Sequence, residues 1–214
     1  MRNSRISDPY HIHYEKNRLW ENTTWMGVPM WKLPNDAMII QELIWKIKPD
    51  LIIETGTGRG GSALFYASIL YCIGSTFSKV LTIDTDSIDQ SYIPDNLFDK
   101  IMFYRGQSID PDIISAVKEQ VRISRRIMVL LDSWHSEEYV LQEIDVYSKF
   151  VTLDSYLIVE DTHVNDNPVP WDYGNGPMGA VNTFLEKNNN FEIDKNCEKL
   201  VMTFNPNGYL KRIG

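Results

Sequence analysis

Cysteine is scarce in this chain, which holds only two, Cys72 and Cys197, among 214 residues. Two cysteines so far apart provide neither a disulfide framework nor the closely spaced ligands of a metal site. Long apolar runs are missing too, since none approaches the ~18 residues that a membrane span needs. The N-terminal residues lack the apolar core of a secretory signal. We therefore expect a cytoplasmic protein with no membrane span.

Positive charge is also in short supply, because 21 lysines and arginines face 29 aspartates and glutamates, for a net charge of −8. The basic cluster of Arg122, Arg125 and Arg126 precedes an apolar strand and is typical of a solvated helix end. This balance argues against a nucleic-acid or anionic-membrane partner. The hydrophobic share of 43% is enough to bury one substantial core, which favours a single α/β domain.

A glycine-rich string is the most informative feature that is present: residues 51–61 read LIIETGTGRGG. An apolar run is followed by glycines and then, from Ser62, by a stretch with helical length and apolar spacing. This pattern predicts a strand, a tight turn and a helix, in which Gly56, Gly58 and Gly61 let a cofactor approach the backbone. We place Ser62 in the same predicted cofactor site.

A second buried strand, KVLTIDTD at residues 79–86, reaches Asp84 near its end, 23 residues after Gly61. A carboxylate at that position can accept hydrogen bonds from both hydroxyls of a ribose, which predicts an adenosine-containing cofactor. Glu54, just before the glycines, distinguishes the candidates. In an NAD-type site the helix N-terminus binds a pyrophosphate, and an acid there is unhelpful. It suits the ammonium group of S-adenosylmethionine (SAM), so we favour SAM over NAD. A turn that only packs helix on strand is the remaining alternative.

Strands alternate with helices along most of the chain, which predicts a mostly parallel sheet with helices on both faces. Residues 1–34 are aromatic and polar without a clear period, and we interpret them as a cap before a domain of residues 35–214. Asn35 or Asp36 is a candidate N-cap for a helix that runs to about Ile47. Two extended runs around residues 205–208 (NPNG) predict a closing antiparallel hairpin, which is typical of SAM methyltransferase sheets.

Acidic residues end two further apolar strands, in the strings LLDSWHS (130–136) and IVEDTH (158–163). Because ligands bind beyond the carboxyl ends of parallel strands, we expect Asp132, Glu160 and Asp161 to converge beside the cofactor. Packed carboxylates repel each other unless a cation lies among them, and oxygen ligands favour Mg²⁺, with Ca²⁺ or Mn²⁺ as alternatives. Helix capping is another explanation for Asp132, but it accounts for only one residue of the adjacent pair.

A histidine, His135, follows Asp132 by three residues and is our candidate general base beside a metal-held hydroxyl. An incidental loop histidine is the competing interpretation. His163 is a weaker candidate for the base or for a substrate contact. We interpret His11 and His13 as surface or oligomer contacts. Trp134 is a candidate for packing on adenine or substrate, although loop tryptophans are more often plain packing.

These strings together resemble the cephalosporin hydroxylase (CmcI-like) and rhamnosyl O-methyltransferase family of SAM-dependent enzymes. The matching strings, within about residues 41–213, are QELIWKIKPD, KPDLIIETGTGRGGSALFYAS, VLLDSWHS, YLIVEDTH and NPNGYLKRI. The resemblance implies a Rossmann-like SAM-binding domain and oligomers in which the N-terminal segment packs on neighbours. It also implies site residues: Glu54, Gly56 and Asp84 at the cofactor, and Asp132, Glu160 and Asp161 at Mg²⁺. The family's "hydroxylase" name is not supported, because an iron oxygenase needs two histidines and a carboxylate in a facial set.

The expected reaction is methyl transfer to a hydroxyl of a sugar or natural-product small molecule, with Asp132 and His135 as the catalytic pair. Gln107 and Ser108, after the third strand, are weaker candidates for adenine contacts. Residues 164–178 form a loop rich in Pro, Gly and Asn, in which Trp171 and Tyr173 offer faces for stacking.

Two rival functions remain open. An NAD(P)-dependent reductase needs a hydride-transfer set such as Tyr-x-x-x-Lys, and Tyr147 with Lys149 has the wrong spacing. A non-catalytic SAM-binding protein is disfavoured by three grouped acids, since unpaired buried charge is costly without a use.

Overall fold

The structure is a computed structural model that describes residues 6–170 and 174–214. Its strands are β1 (Thr24–Trp25), β2 (Val28–Pro29), β3 (Leu51–Thr55), β4 (Lys79–Asp84), β5 (Ile101–Arg105), β6 (Ile127–Leu131), β7 (Tyr156–Val159), β8 (Phe191–Ile193) and β9 (Tyr209–Arg212). Its α-helices are α1 (Asp8–Lys16), α2 (Pro34–Ile47), α3 (Gly61–Cys72), α4 (Asp95–Phe98), α5 (Pro111–Arg122), α6 (Glu137–Tyr147) and α7 (Gly176–Leu185). Within those ranges, no helix is long and apolar enough to cross a bilayer.

Seven strands form one sheet in the order β5-β4-β3-β6-β7-β9-β8. Strands β3 to β7 pair in parallel, whereas β9 runs antiparallel to both β7 and β8. This architecture confirms the predicted α/β fold with a mostly parallel seven-stranded sheet and a C-terminal antiparallel hairpin. The strand order reverses between β3 and β6, and open α/β sheets bind ligands at such a point.

Apolar side chains bury both faces of the sheet. In β3, Ile52 joins the cluster under α2 and α3, while Leu51 and Ile53 join the cluster under α5, α6 and α7. This alternation follows from the two-residue period of a strand. A strand covered on both sides is mostly apolar, which explains the runs of Ile, Leu and Val in β3 and β6.

Helix α2 begins two or three residues earlier than expected, because its N-cap is Leu33 and not Asn35 or Asp36. Pro34 is its first residue, and its fixed φ suits that position. Asp36 is therefore inside the helix and does not cap it. Its buried carboxylate accepts hydrogen bonds from the Phe204 amide (2.8 Å), the Tyr209 hydroxyl (2.9 Å) and the Thr203 hydroxyl. The helix ends at Ile47, and the residue that caps it, Lys48, has a φ of 51°.

The closing hairpin uses a different first strand from the one that the sequence predicts. Residues 200–208 form bends and turns, and β8, at Phe191–Ile193, pairs with β9 instead. The Thr203 hydroxyl and the Phe204 amide donate hydrogen bonds to Asp36. The Asn205 side chain accepts a hydrogen bond from the Asp161 amide (3.0 Å). Because their polar groups make these contacts, residues 200–208 do not pair as a β-strand.

The N-terminal segment, residues 6–33, packs on the domain of its own chain. The Trp25 indole donates to the Ser68 hydroxyl of α3 (3.0 Å), and the β1–β2 hairpin is placed beside the start of that helix. Leu33 joins a small apolar cluster with Tyr14 and Phe204. This segment thus contributes a wall beside the sheet edge where the parallel strands end.

Candidate active site

The register of the sheet brings the predicted site residues to one edge. Thr55, at the end of β3, is paired with Ile83 of β4 and Leu131 of β6, and Leu131 is paired with Val159 of β7. The residue that follows each of these four paired positions therefore lies along the same edge. These residues are Gly56, Asp84, Asp132 and Glu160.

The turn after β3 is held by Asp84. One carboxylate oxygen accepts hydrogen bonds from the Thr57 and Gly58 amides, at 2.9 and 3.0 Å, and the other accepts from the Asp86 amide at 3.1 Å. Asp84 also lies on the cavity wall described below. Since one of its oxygens already takes two donors, the other retains capacity for a ligand hydroxyl.

Two glycines of this turn leave no room for a side chain, because backbone atoms of other segments lie close to them. A Cβ on Gly56, whose φ is +84°, would lie 1.8 Å from the Asp132 carbonyl oxygen. A Cβ on Gly61 would lie 2.3 Å from the Pro29 carbonyl oxygen. The Pro29 carbonyl group therefore occupies the space beside Gly61 where we expected the cofactor. Gly56, Gly58 and Ser62 do line the cavity.

Glu54 lies beneath the turn and does not reach the cavity wall. It is fully buried, and the Thr82 hydroxyl donates to it at 2.7 Å. Burial raises the pKa of Glu54 to about 7, against the opposing effects of the Lys32 charge and the Ser62 and Thr82 hydroxyls. Glu54 is thus not part of the cavity wall, and its contact with a cofactor ammonium stays a prediction.

Gln107 and Ser108 follow β5 and differ in their surroundings. Both line the cavity, but the Ser108 hydroxyl is buried and donates to Glu143 of α6. The Ser133 hydroxyl donates to the same Glu143 oxygen at 2.7 Å. Burial raises the pKa of Glu143, and these hydroxyls partly offset the effect. Glu143 is a buried acid that sequence reasoning missed, since it falls within an ordinary amphipathic helix.

A cavity of about 1170 Å³ opens along this edge. The strand ends contribute one wall, which includes Gly56, Thr57, Gly58, Asp84, Gln107, Ser108, Asp132, His135 and Asp161. The N-terminal segment contributes another wall, which includes Glu15, Arg18, Trp20 and Trp31. Trp134 also lines the cavity and is 68% exposed, so it is available to a ligand. Trp171 and Tyr173 lie outside the described residues.

Asp132, His135 and Asp161 meet on this cavity. The His135 Nε2 atom is 3.1 Å from an Asp161 oxygen and 3.7 Å from an Asp132 oxygen. Burial alone would lower the pKa of His135, but its hydrogen bonds with Asp132 and Asp161 and their charges raise it well above the usual value. One ligand atom from each residue lies within 4.8 Å of the others, a spacing that suits a metal ion.

Glu160, the third predicted metal ligand, is engaged elsewhere. Both of its carboxylate oxygens accept hydrogen bonds from the Lys32 ammonium, at 2.7 and 2.6 Å. Lys32 also donates to the second Asp132 oxygen at 3.0 Å. Burial would lower the pKa of Lys32, but the charges of Asp132 and Glu160 raise it well above its usual value. The cation among the predicted acids is therefore a lysine that sequence reasoning missed.

The three histidines outside this cluster differ in their burial, which was not fully predicted. His11 is buried and stacks on His163 and Phe204, with ring centroids 4.9 and 5.3 Å away, so its expected surface position is wrong. His163 lines the cavity, and its Nε2 atom lies 3.1 Å from Glu15. His13 is exposed, as expected.

Known proteins resemble this chain over nearly its whole length. The family model described as Rhamnosyl O-methyltransferase/CmcI matches residues 17–213. Rhamnosyl O-methyltransferase of Mycobacterium leprae (strain TN) is 36% identical over 214 residues, covering 97% of this chain and 90% of the relative. The protein of the same name from Mycobacterium tuberculosis (strain CDC 1551 / Oshkosh) is 34% identical over 218 residues, covering 97% and 85%.

Solved structures agree on the fold. A structure of CmcI with Mg and SAM has a TM-score of 0.68 at 19% identity and covers 91% of this chain and 78% of its own. The O-methyltransferase TomG from Streptomyces achromogenes, in complex with SAM, has a TM-score of 0.52 at 14% identity, covering 99% and 92%. Together with the family match, these likenesses confirm the resemblance drawn from the sequence strings. The chain belongs to the rhamnosyl O-methyltransferase/CmcI family of methyltransferases.

Proposed function

We propose that this protein transfers a methyl group from SAM to a hydroxyl of a sugar or natural-product small molecule, with a divalent metal ion at the site. One observation carries the proposal: a single cavity is lined both by the Gly56–Asp84 turn and by Asp132, His135 and Asp161. A cofactor at the turn and an acceptor at the histidine are thereby within one enclosure. The names of the relatives, which are rhamnosyl O-methyltransferases, support a sugar acceptor.

The strand-end wall is our proposed SAM site. Asp84 holds the turn through two backbone amides and keeps capacity for a ribose hydroxyl. Gln107 and Ser108 line the same wall after β5 and are the proposed adenine contacts. Glu54, which lies beneath the turn and accepts a hydrogen bond from Thr82, stays our candidate for the ammonium group of SAM. SAM, when bound, supplies an electrophilic methyl group on a sulfonium.

Asp132 and Asp161 are the proposed metal ligands that face the cavity, with His135 beside them. Two carboxylate oxygens fit a hard divalent ion, for which Mg²⁺ is the first candidate and Mn²⁺ or Ca²⁺ the others. Glu160 completes the acidic set from behind, where Lys32 neutralises it. The ion would supply positive charge beside the acceptor hydroxyl and so favour loss of its proton.

His135 is the proposed general base, in its neutral form; a divalent ion at Asp132 and Asp161 would offset the carboxylate charges that raise the pKa of the metal-free ring. Its side chain is on the cavity wall, so an acceptor hydroxyl can reach it. Asp132 and Asp161 orient the ring through contacts to Nε2 at 3.7 and 3.1 Å. The residues of the chain thus align the acceptor oxygen with the methyl group and receive its proton, and alignment is the larger part of such catalysis.

The N-terminal wall is the proposed acceptor side. Trp20 and Trp31 pack edge to face, with centroids 6.0 Å apart, and the Arg18 guanidinium lies over Trp20. Aromatic faces beside a cation and the Glu15 carboxylate suit the apolar face and the hydroxyls of a sugar ring. The acceptor is accordingly a small molecule, and neither nucleic acid nor a membrane is required.

Methyl transfer itself tests the proposal. The full chain is incubated with methyl-labelled SAM, MgCl₂ and a panel of rhamnosides and other glycosides, and the products are analysed by mass spectrometry. We expect a labelled methyl ether on at least one sugar hydroxyl and its loss in EDTA. Label transfer that is unaffected by EDTA would contradict the metal, and transfer only to non-hydroxyl acceptors would contradict the O-methyltransferase assignment.

A further inference from the structure

Lys32 occupies the centre of the acidic site although it comes from the N-terminal segment, 100 residues before Asp132. Its side chain is only 2% exposed, and its ammonium donates to both oxygens of Glu160 and to one oxygen of Asp132. A lysine is rarely buried so completely unless it is paired with acids. Through these contacts, the N-terminal segment links the residues that follow β6 and β7.

We propose that Lys32 is a positioning residue, an internal cation that assembles the acidic site before any metal ion binds. Its bond to one Asp132 oxygen leaves the other oxygen on the side of His135, where the distance is 3.7 Å. Glu160, with both oxygens on Lys32, neutralises this ammonium and does not face the cavity. The outward oxygen of Asp132 is therefore oriented in the metal-free protein, while Asp161 is held through His135.

Two consequences separate this role from ordinary packing. Without the Lys32 charge, the buried carboxylates of Glu160 and Asp132 repel each other, and folding then depends on a divalent ion to neutralise them. Removing a positive charge beside two carboxylates also makes the site more attractive to a divalent ion. A lysine whose ammonium had no influence on the acidic site would leave the affinity for the metal ion unchanged when removed. The proposal rests on the metal part of the proposed function.

The first test compares melting temperatures of wild type, Lys32→Met and Lys100→Met, each in EDTA and in MnCl₂. Lys100 is the matched control, because it is buried but donates to the backbone carbonyls of Ser75 and Thr76 and, among the residues that the structure describes, to no acid. In EDTA we expect Lys32→Met to melt roughly 6 to 12 °C below wild type. MnCl₂ should raise its melting temperature by more than it raises that of either other protein. Equal gains in all three proteins would overturn the proposal.

The second test measures Mn²⁺ affinity from the electron paramagnetic resonance of the free ion. Lys32→Met should bind Mn²⁺ at least about 10-fold more tightly than wild type, and Lys32→Arg should stay close to wild type. Unchanged or weaker binding by Lys32→Met would overturn the proposal. If Lys32→Met does not fold in EDTA, the double variant Lys32→Met/Glu160→Gln should fold there, because it removes both charges of the pair. A double variant that also fails to fold would contradict the role.

The two proposals fail in distinguishable ways. A SAM titration of the same samples tests the methyltransferase assignment without reference to Lys32. If wild type binds SAM but no Mn²⁺, the metal part of the proposed function is wrong. The comparison of Lys32→Met with the double variant in EDTA then still decides whether Lys32 assembles the two acids.

Discussion

Asp84 combines two tasks in one side chain, because it holds the backbone of the turn after β3 and also faces the cavity. Asp84→Ala should weaken SAM binding by about 10- to 100-fold, through lost hydrogen bonds to the ribose and a loosened turn. Isothermal titration calorimetry measures the change. Asp86→Ala, an exposed acid two residues on, is the control and should bind SAM as wild type does. Unchanged affinity in Asp84→Ala would show that the ribose assignment is wrong.

His135 is the residue on which acceptor activation depends in this account. His135→Ala should lower kcat by about 10²- to 10⁴-fold with little change in SAM affinity, since its ring contacts the carboxylates of Asp132 and Asp161, whereas the proposed ribose contact is Asp84. His135→Lys should restore part of the rate at higher pH. The exposed His13 supplies a control, and His13→Ala should keep wild-type kcat. A wild-type kcat in His135→Ala between about pH 6 and 9 would mean that this ring is not the base.

At the scale of single residues, acids at strand ends were predictable from the sequence, and their partners were not. Asp84, Asp132 and Asp161 each follow an apolar run, so a local pattern locates them on one edge. Lys32 lies in a segment without a period, and only the tertiary fold brings it to Glu160. The burial of Glu54 was also hidden, because a strand-end position does not tell which way a side chain points.

At the scale of elements, Gly61 tests how the N-terminal segment docks on α3. Alanine normally stabilises a helix relative to glycine by up to about 1 kcal/mol. At this position its Cβ would lie 2.3 Å from the Pro29 carbonyl oxygen and 2.8 Å from the Met30 Cα. Because both are backbone atoms, we expect Gly61→Ala to lower the unfolding free energy by about 1 to 3 kcal/mol.

Denaturant titration followed by tryptophan fluorescence measures this loss. The hairpin contact would be contradicted if Gly61→Ala were as stable as wild type or more stable.

Most helices and strands could be predicted from the sequence wherever apolar residues recur at a regular spacing. Strands β3 to β7 and helix α5 follow from apolar runs and from Pro111 at a helix start. Helix α1 was missed because its residues, DPYHIHYEK, show no apolar face. The three-residue strand β8 was missed because so short a run carries little pattern, and the longer run at 200–205 is diverted by contacts to Asp36.

At the scale of the whole molecule, Asp36 ties α2 to the segment that leads into β9. Burial raises the pKa of its carboxyl to about 6, although three donated hydrogen bonds oppose this shift. A raised pKa means that the folded state prefers the protonated form. This group therefore stabilises the fold below its unfolded pKa of ~4, and that stability is lost as pH rises towards 6.

The size of this effect is up to about 3 kcal/mol between pH 4 and 7, from roughly two pKa units. Asp36→Asn does not titrate, so the stability of wild type relative to this variant should fall over that range. Urea unfolding at several pH values gives the comparison. Asp95→Asn, at the start of the exposed helix α4, should follow wild type. A constant difference between wild type and Asp36→Asn would contradict the assigned pKa.

Whether the cavity at the ends of β3, β4 and β6 binds SAM decides the proposed function. Calorimetric titration of the full chain with SAM, and separately with NADH, measures this binding. We expect saturable binding of one SAM per chain, no heat of binding from NADH, and weakened SAM binding in Asp84→Ala. Binding of NADH without binding of SAM would show that the proposed cofactor is wrong and would favour a reductase.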